Sequence, residues 1–192
     1  MTTTILIAVL ACLVQVWGHI QYNRENGISP NLTSWSIWGF TSLIDAFNYQ
    51  DMTQDWEKNL LPFTCAIACI ATWGICLFKG KFKKPKASDY ATFVLCTISL
   101  IVWKKLDLVK EANFILQIDN VISFLPIIIG VALNPSFERP KAWMLWTVSY
   151  GLGTLVVVMR YEQWNDLLFP AMCAALHFTV GALALRKSRI TA

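Results

Sequence analysis

The chain has 192 residues, of which 56% are hydrophobic, 13% aromatic and 15% charged, with a formal net charge of +4. This composition leaves too few polar residues to cover a globular domain in water, which excludes a soluble protein and predicts an integral membrane protein in contact with the lipid bilayer. The basic residues lie in short loops between apolar stretches, so no nucleic-acid partner is expected.

Seven apolar stretches follow one another between short charged loops. A membrane-spanning helix needs roughly 20 mostly apolar residues, and continuous apolar runs favour helices over barrel strands, whose residues would alternate. The predicted spans lie near residues 4–20, 34–50, 59–78, 89–103, 112–133, 142–159 and 164–185. The predicted fold class is therefore all-α integral membrane, with seven transmembrane helices.

The basic residues are concentrated in alternate loops. If the N-terminus lies outside, the inside receives eleven of the 16 Lys and Arg residues: Arg24, Lys79, Lys81, Lys83, Lys84, Lys86, Arg139, Lys141, Arg186, Lys187 and Arg189. Cytoplasmic loops are enriched in Lys and Arg. We therefore expect a multi-pass protein of the cell membrane with its N-terminus outside and its C-terminus in the cytoplasm.

The chain also repeats itself at an offset of 108 residues. The matched pairs are Trp35 and Trp143, Trp38 and Trp146, Trp56 and Trp164, Pro62 and Pro170, Cys65 and Cys173, Ala66 and Ala174, and Lys79 and Lys187. The offset makes helices two and three equivalent to helices six and seven, which pairs helix one with helix five. Helix four is then a linker, and an odd linker predicts two parallel repeats. The predicted organisation is a three-helix repeat over residues 1–80, a linker helix over 81–108 and a second three-helix repeat over 109–192.

Two segments resemble those of a known family. The segment from Gly27 to Trp38 is similar to the loop and Thr-Trp-x-x-Trp helix of PQ-loop repeats, and the segment from Asp119 to Pro126 is similar to the helix that carries the hinge proline of that superfamily. An Asp at position 89 and a Trp at position 103 are also similar to those of the linker helix in bacterial seven-helix proteins of this layout. The chain thus resembles the PQ-loop superfamily, which includes the SWEET and SemiSWEET sugar transporters. The Pro-Gln dipeptide itself is absent.

Polar side chains inside the predicted spans are the best candidates for a binding site, because each is costly in lipid unless it faces a cavity or a partner. They form stripes at spacings of three and four residues on helices one, two, five and six. The candidates for substrate binding are Gln15, His19, Trp38, Ser42, Asp45, Asn120, Trp146 and Tyr150. The resemblance implies that these four helices enclose a cavity at mid-membrane, with Asn120 as a substrate-contacting amide and Pro126 as a hinge.

Alternatives remain open for several of these residues. The tryptophans could serve in helix packing or in an interfacial belt. Asp45 could carry a coupling proton, pair with a cationic solute, or make a structural hydrogen bond to a neighbouring helix. All six cysteines lie inside predicted spans, so no disulfide framework is expected.

Cys65 and Cys69 on helix three match Cys173 and His177 on helix seven at the same offset. Such a set could bind a soft metal, but small polarizable residues are also ordinary helix-packing material. The resemblance implies that these helices support the cavity more than they line it. Neither a metal nor another cofactor is expected, and no enzymatic motif is present, so the chain is not expected to be an enzyme.

The leading hypothesis is a SWEET-like transporter or facilitator for a small polar solute, which works by alternating access between the two repeats. An alternative is a non-transporting membrane subunit or scaffold of a larger complex. A third hypothesis is a carrier of the nicotinamide-riboside type, because those proteins share the three-one-three layout. Whether the chain forms a homo-oligomer or joins a membrane complex is left open.

Overall fold

The computed structural model describes residues 2–24, 32–79, 84–85 and 87–186, and the regular structure within these ranges is helical. Seven α-helices follow in chain order: α1 (Thr3–Arg24), α2 (Leu32–Thr53), α3 (Trp56–Lys79), α4 (Ala87–Leu106), α5 (Val109–Leu133), α6 (Pro140–Met159) and α7 (Asn165–Leu185). A single 3-10 turn, Pro135–Phe137, separates α5 from α6. The loop segment from Gly27 to Asn31 and the basic residues Lys81, Lys83, Lys86, Lys187 and Arg189 lie outside the described residues.

Each of the seven predicted stretches coincides with one helix, and no helix end is displaced by more than four residues. Within the described residues, five helices are long and apolar enough to cross a membrane: α1, α3, α5, α6 and α7. The sequence predicted seven such helices, and α2 and α4 do not belong to this group. In α2 the reason is visible in its second half, where Asp45, Asn48 and Asp51 interrupt the apolar run. The described part of the chain is therefore all-helical, with five helices suited to span a membrane.

Six of the helices form a closed ring. In order around the ring, each helix packs against the next: α1, α3, α2, α5, α7, α6 and back to α1. The remaining helix, α4, lies outside the ring and packs against α5 and α2. The ring therefore encloses an interior to which six different helices can contribute side chains.

The outer surface of the bundle is apolar and its interior contains many polar groups. Leu13 is 63% exposed, Ile67 66% and Leu133 83%. Conversely, Gln15, Asp45 and more than a dozen other polar side chains are buried. An apolar outside around a polar inside is the arrangement that suits a lipid environment, where backbone polar groups are satisfied within helices and polar side chains face inward.

The helices alternate in direction, so one end of the bundle collects the N-termini of α1, α3, α5 and α7. We call it the Lys58 end, and the opposite end the Glu138 end. Two tight turns at the Lys58 end contain the non-glycine residues with positive φ, Gln54 (50°) and Asp107 (57°). In the turn before α3, Asp55 Oδ1 accepts a hydrogen bond of 2.9 Å from the backbone N–H of Glu57. This bond caps the start of α3 and fixes the position of Asp55 and its neighbours.

Candidate functional site

A cavity of about 50 Å³ lies inside the ring, and all six ring helices contribute to its lining. All eight residues that the sequence predicted for substrate binding are on its wall: Gln15, His19, Trp38, Ser42, Asp45, Asn120, Trp146 and Tyr150. The structure thus brings together side chains from α1, α2, α5 and α6. The volume has room for one or two water molecules in this conformation.

The expectation that α3 and α7 support the cavity more than they line it is wrong, because each contributes as many lining residues as α5 or α6. Pro62, Cys65 and Cys69 of α3 line it, and so do Phe169, Cys173 and His177 of α7. The physical reason is the ring order, in which α3 and α7 each stand between two other ring helices and turn one face inward. All four residues of the predicted soft-metal set therefore face the same space as the polar candidates.

Asp45 forms the polar side of the cavity. Its side chain is buried, and both carboxylate oxygens accept hydrogen bonds from amides of α5: Asn120 Nδ2 donates to Oδ2 at 2.9 Å and Gln117 Nε2 to Oδ1 at 3.2 Å. Asn120 also donates to Gln117 Oε1 at 3.1 Å. None of the ion pairs among the described residues involves Asp45. The carboxyl group is thus held in place by two neutral amides and faces the cavity without a basic partner.

The aromatic side of the cavity is built from matched tryptophan pairs. Trp35 and Trp38 lie edge to face with ring centroids 5.1 Å apart at 85°, and Trp143 and Trp146 do so at 5.1 Å and 88°. Trp35, Trp143 and Trp146 are at most 2% exposed. These three tryptophans therefore do not form a lipid-facing belt. They pack around the cavity, where aromatic faces can contact the apolar face of a solute.

The thiol side of the cavity is built around Cys65 and Cys69 of α3. Tyr150 Oη donates to Cys65 Sγ at 3.0 Å, and the sulfur atoms of Cys65 and Cys69 are 3.9 Å apart. His19 Nδ1 is 3.0 Å from Thr72 Oγ1. His177 Nδ1 is 2.7 Å from the carbonyl oxygen of Cys173.

A network of charged groups lies at the Lys58 end, between the cavity and the solvent. Lys58 Nζ is 2.8 Å from Asp166 Oδ2, with both side chains fully enclosed, and 3.3 Å from the exposed Glu162. Arg160 Nε is 2.6 Å from Asp55 Oδ2, and the hydrogen bond to this carboxylate raises the pKa of Arg160 above its usual value. These pairs join α3 and the preceding turn to α7 and to the segment after α6.

The Glu138 end contains a second cavity of about 110 Å³. Trp35, Trp38 and Ser123 line both cavities, so they form the wall between them. Pro126, the predicted hinge, lies inside the continuous helix α5 and lines this second cavity, not the first. Its hinge role stays a prediction, as do the substrate-binding roles of the residues on the first cavity.

Sequence reasoning missed two features of the site. Gln117 was not singled out as a partner of Asp45, although it lies three residues before Asn120 and hence on the same face of α5. The ion pair of Lys58 and Asp166 was also missed. These two residues are separated by 108 positions, which is the offset of the repeat. The alignment of the chain with itself therefore already placed these opposite charges at equivalent positions of the two halves.

Comparisons of the chain with protein-family models, with curated proteins and with solved structures give no significant match. These comparisons identify no family for the chain.

Proposed function

We propose that this chain is a carrier of the PQ-loop type for a small polar solute, and not an enzyme. In this proposal residues 1–80 and 109–192 are two parallel three-helix repeats, residues 81–108 are the linker, and all seven helices span the membrane with the N-terminus outside. The ring order supports it, because α1, α3, α2 and α5, α7, α6 are equivalent helices in the same sequence. The matched geometry of the two tryptophan pairs gives further support.

The observation that carries the proposal is the buried Asp45 on the wall of the central cavity. A carboxylate in a low-dielectric interior is costly unless a cation, a proton or several hydrogen-bond donors accompany it. Asn120 and Gln117 supply two neutral donors and leave the charge itself uncompensated. The Oε1 atom of Gln15 is buried and has no hydrogen-bond partner among the residues that the structure describes, so it is a further acceptor. This set suits a solute that donates hydrogen bonds from hydroxyl or amine groups, or that moves together with a proton.

Transport of such a solute requires the ring to change shape, because about 50 Å³ holds water molecules but not a sugar-sized solute. The buried pair of Lys58 and Asp166 closes the Lys58 end by joining α3 to α7, which belong to different repeats. At the Glu138 end, only the wall containing Trp35 and Trp38 separates the two cavities. In the proposed cycle, rocking of one repeat against the other in one direction breaks the ion pair and opens the Lys58 end, and rocking in the opposite direction opens the tryptophan wall toward the Glu138 end.

The test is uptake into proteoliposomes, together with thermal stabilisation by sugars, amino acids, nucleosides and vitamins, including nicotinamide riboside. We expect Asp45→Asn to abolish uptake of the active solute, because the amide cannot hold a proton or a cation. Asp107→Asn is the matched control, since Asp107 is exposed at the Lys58 end and asparagine tolerates its positive φ. Equal uptake by Asp45→Asn and wild type would exclude the proposed role of Asp45, and a folded protein that responds to no solute would count against transport.

A second candidate function is a non-transporting subunit of a larger membrane complex. The observation that favours it is the small central cavity, which side chains largely fill in this conformation. Purification from native membranes under mild detergent separates the two candidates. Stoichiometric co-purification with other chains and no uptake in their absence would favour the subunit.

A further inference from the structure

Three potential metal ligands meet on the thiol side of the central cavity, and only two of them belong to the set of four that the sequence singled out. Among the described residues, His19, Cys65 and Cys69 are a group whose ligand atoms all lie within 4.8 Å of one another. Cys65 and Cys69 are one turn apart on α3, and His19 reaches them from α1. Cys173 and His177 line the same cavity and do not belong to this group.

The spacing of the two sulfur atoms fits a tetrahedral metal ion. A Zn²⁺–S bond is about 2.3 Å, so two thiolates on one tetrahedral ion lie about 3.8 Å apart. The observed distance between Cys65 Sγ and Cys69 Sγ is 3.9 Å. Binding would therefore require little movement of α3. Only the distance between the His19 ring and the two sulfur atoms has to shorten.

The atoms around the three side chains also suit metal ligation. Tyr150 Oη donates to Cys65 Sγ at 3.0 Å and Ser42 Oγ to Cys69 Sγ at 3.8 Å, so each sulfur accepts a hydrogen bond from a hydroxyl group. The Thr72 hydroxyl contacts Nδ1 of His19 at 3.0 Å, which leaves Nε2 for a metal. Partners of this kind orient ligands and raise their affinity for the ion.

We propose that His19, Cys65 and Cys69 form a binding site for a soft divalent cation of the Zn²⁺ type inside the bundle. Two thiolates and one neutral imidazole give a complex with Zn²⁺ that has no net charge, which is the arrangement a low-dielectric interior favours. Each ion that binds displaces the two thiol protons, which are released to the solvent. Because all three ligands line the cavity, the fourth position faces its free volume and takes a water molecule.

The test uses the full chain, purified in detergent and stripped of metal with a chelator. We expect equilibrium dialysis to show one Zn²⁺ per chain, and titration with Cd²⁺ to develop the ultraviolet absorption of a metal–thiolate bond. Cys65→Ser, Cys69→Ser and His19→Asn should each weaken Zn²⁺ binding at least about 100-fold, because loss of a ligand should cost no less than the roughly 10–100-fold that follows loss of a residue that only orients a ligand. Cys96→Ser is the matched control that should bind as wild type, since Cys96 lies on α4, outside the ring of helices that encloses the cavity.

X-ray absorption on the Zn²⁺-loaded wild type keeps the proposal testable if a variant fails to fold. The expected coordination shell contains two sulfur atoms at about 2.3 Å and nitrogen or oxygen atoms at about 2.0–2.1 Å. No binding by folded wild type, a shell without two sulfur atoms, or unchanged binding by Cys65→Ser and Cys69→Ser would overturn the site. The result is independent of solute transport, because Asp45→Asn should keep the metal and lose uptake.

Discussion

The buried ion pair at the Lys58 end makes a sharp prediction about stability. Lys58→Met is expected to lower the free energy of unfolding by about 3–5 kcal/mol, the usual cost when one partner of a buried pair is removed. Methionine keeps most of the apolar stem of lysine but removes the ammonium group. Asp166 would then stay fully enclosed without the cation that lies 2.8 Å from it. The other partner of Lys58, Glu162, is 63% exposed and can turn to solvent at little cost.

The assay is reversible unfolding in mixed micelles with increasing SDS, followed by circular dichroism. Lys104→Met is the matched control, because Lys104 pairs with Asp51 at 3.2 Å and both side chains are about half exposed. Its expected cost is at most about 1 kcal/mol. The double variant Lys58→Met/Asp166→Met should recover most of the stability, since replacing both charges leaves none unpaired. Equal losses for Lys58→Met and Lys104→Met would refute the reasoning.

Two further predictions concern packing and the charged network. Gly18→Ala should cost about 1–3 kcal/mol in the same assay, because a Cβ at this position would lie 2.5 Å from Nε1 of the buried Trp146. Gly151→Ala, where a Cβ meets nothing within 4 Å, should be neutral or stabilising, and a similar loss for both variants would contradict the packing argument. Arg160→Lys should cost about 1 kcal/mol or less, because a lysine loses the planar guanidinium that binds Asp55. Because the raised pKa of Arg160 lies above this pH range, the loss of unfolding free energy caused by Arg160→Lys should be the same from about pH 6 to 9. A loss that changed within this range would show that another group titrates.

The positions of the helices could be predicted closely because they depend on local sequence. An apolar run long enough to cross a bilayer must satisfy its backbone within itself, so each run becomes a helix between the charged loops that bound it. The inward face of α2 could be predicted for the same reason, since Trp38, Ser42 and Asp45 recur at helical spacing. All three line the cavity.

The partners of these residues could not be predicted from spacing alone. Gln117 and Asn120 are both amides on one face of α5, and only the packing of α5 against α2 shows that each donates to Asp45. The role of α3 was misjudged because it was taken from the family resemblance, although Pro62, Cys65 and Cys69 recur at helical spacing and all three line the cavity. Among the described residues five helices have the hydropathy of a membrane span. Helices α2 and α4 are long enough, but polar residues such as Asp45 and Asn48 lower the hydropathy of α2, and Asp89 and Lys104 lower that of α4.

The sequence by itself determined that the chain is helical and suited to a membrane, where its helices lie, and which polar side chains share a helix face. These properties follow from composition and from the period of the helix, both of which are local. Only the tertiary structure decided that the six-helix ring places Asp45 among the α5 amides and His19 beside Cys65 and Cys69. Distances between side chains on different helices depend on how the helices pack, because residues that are neighbours in space here are dozens of positions apart in the chain.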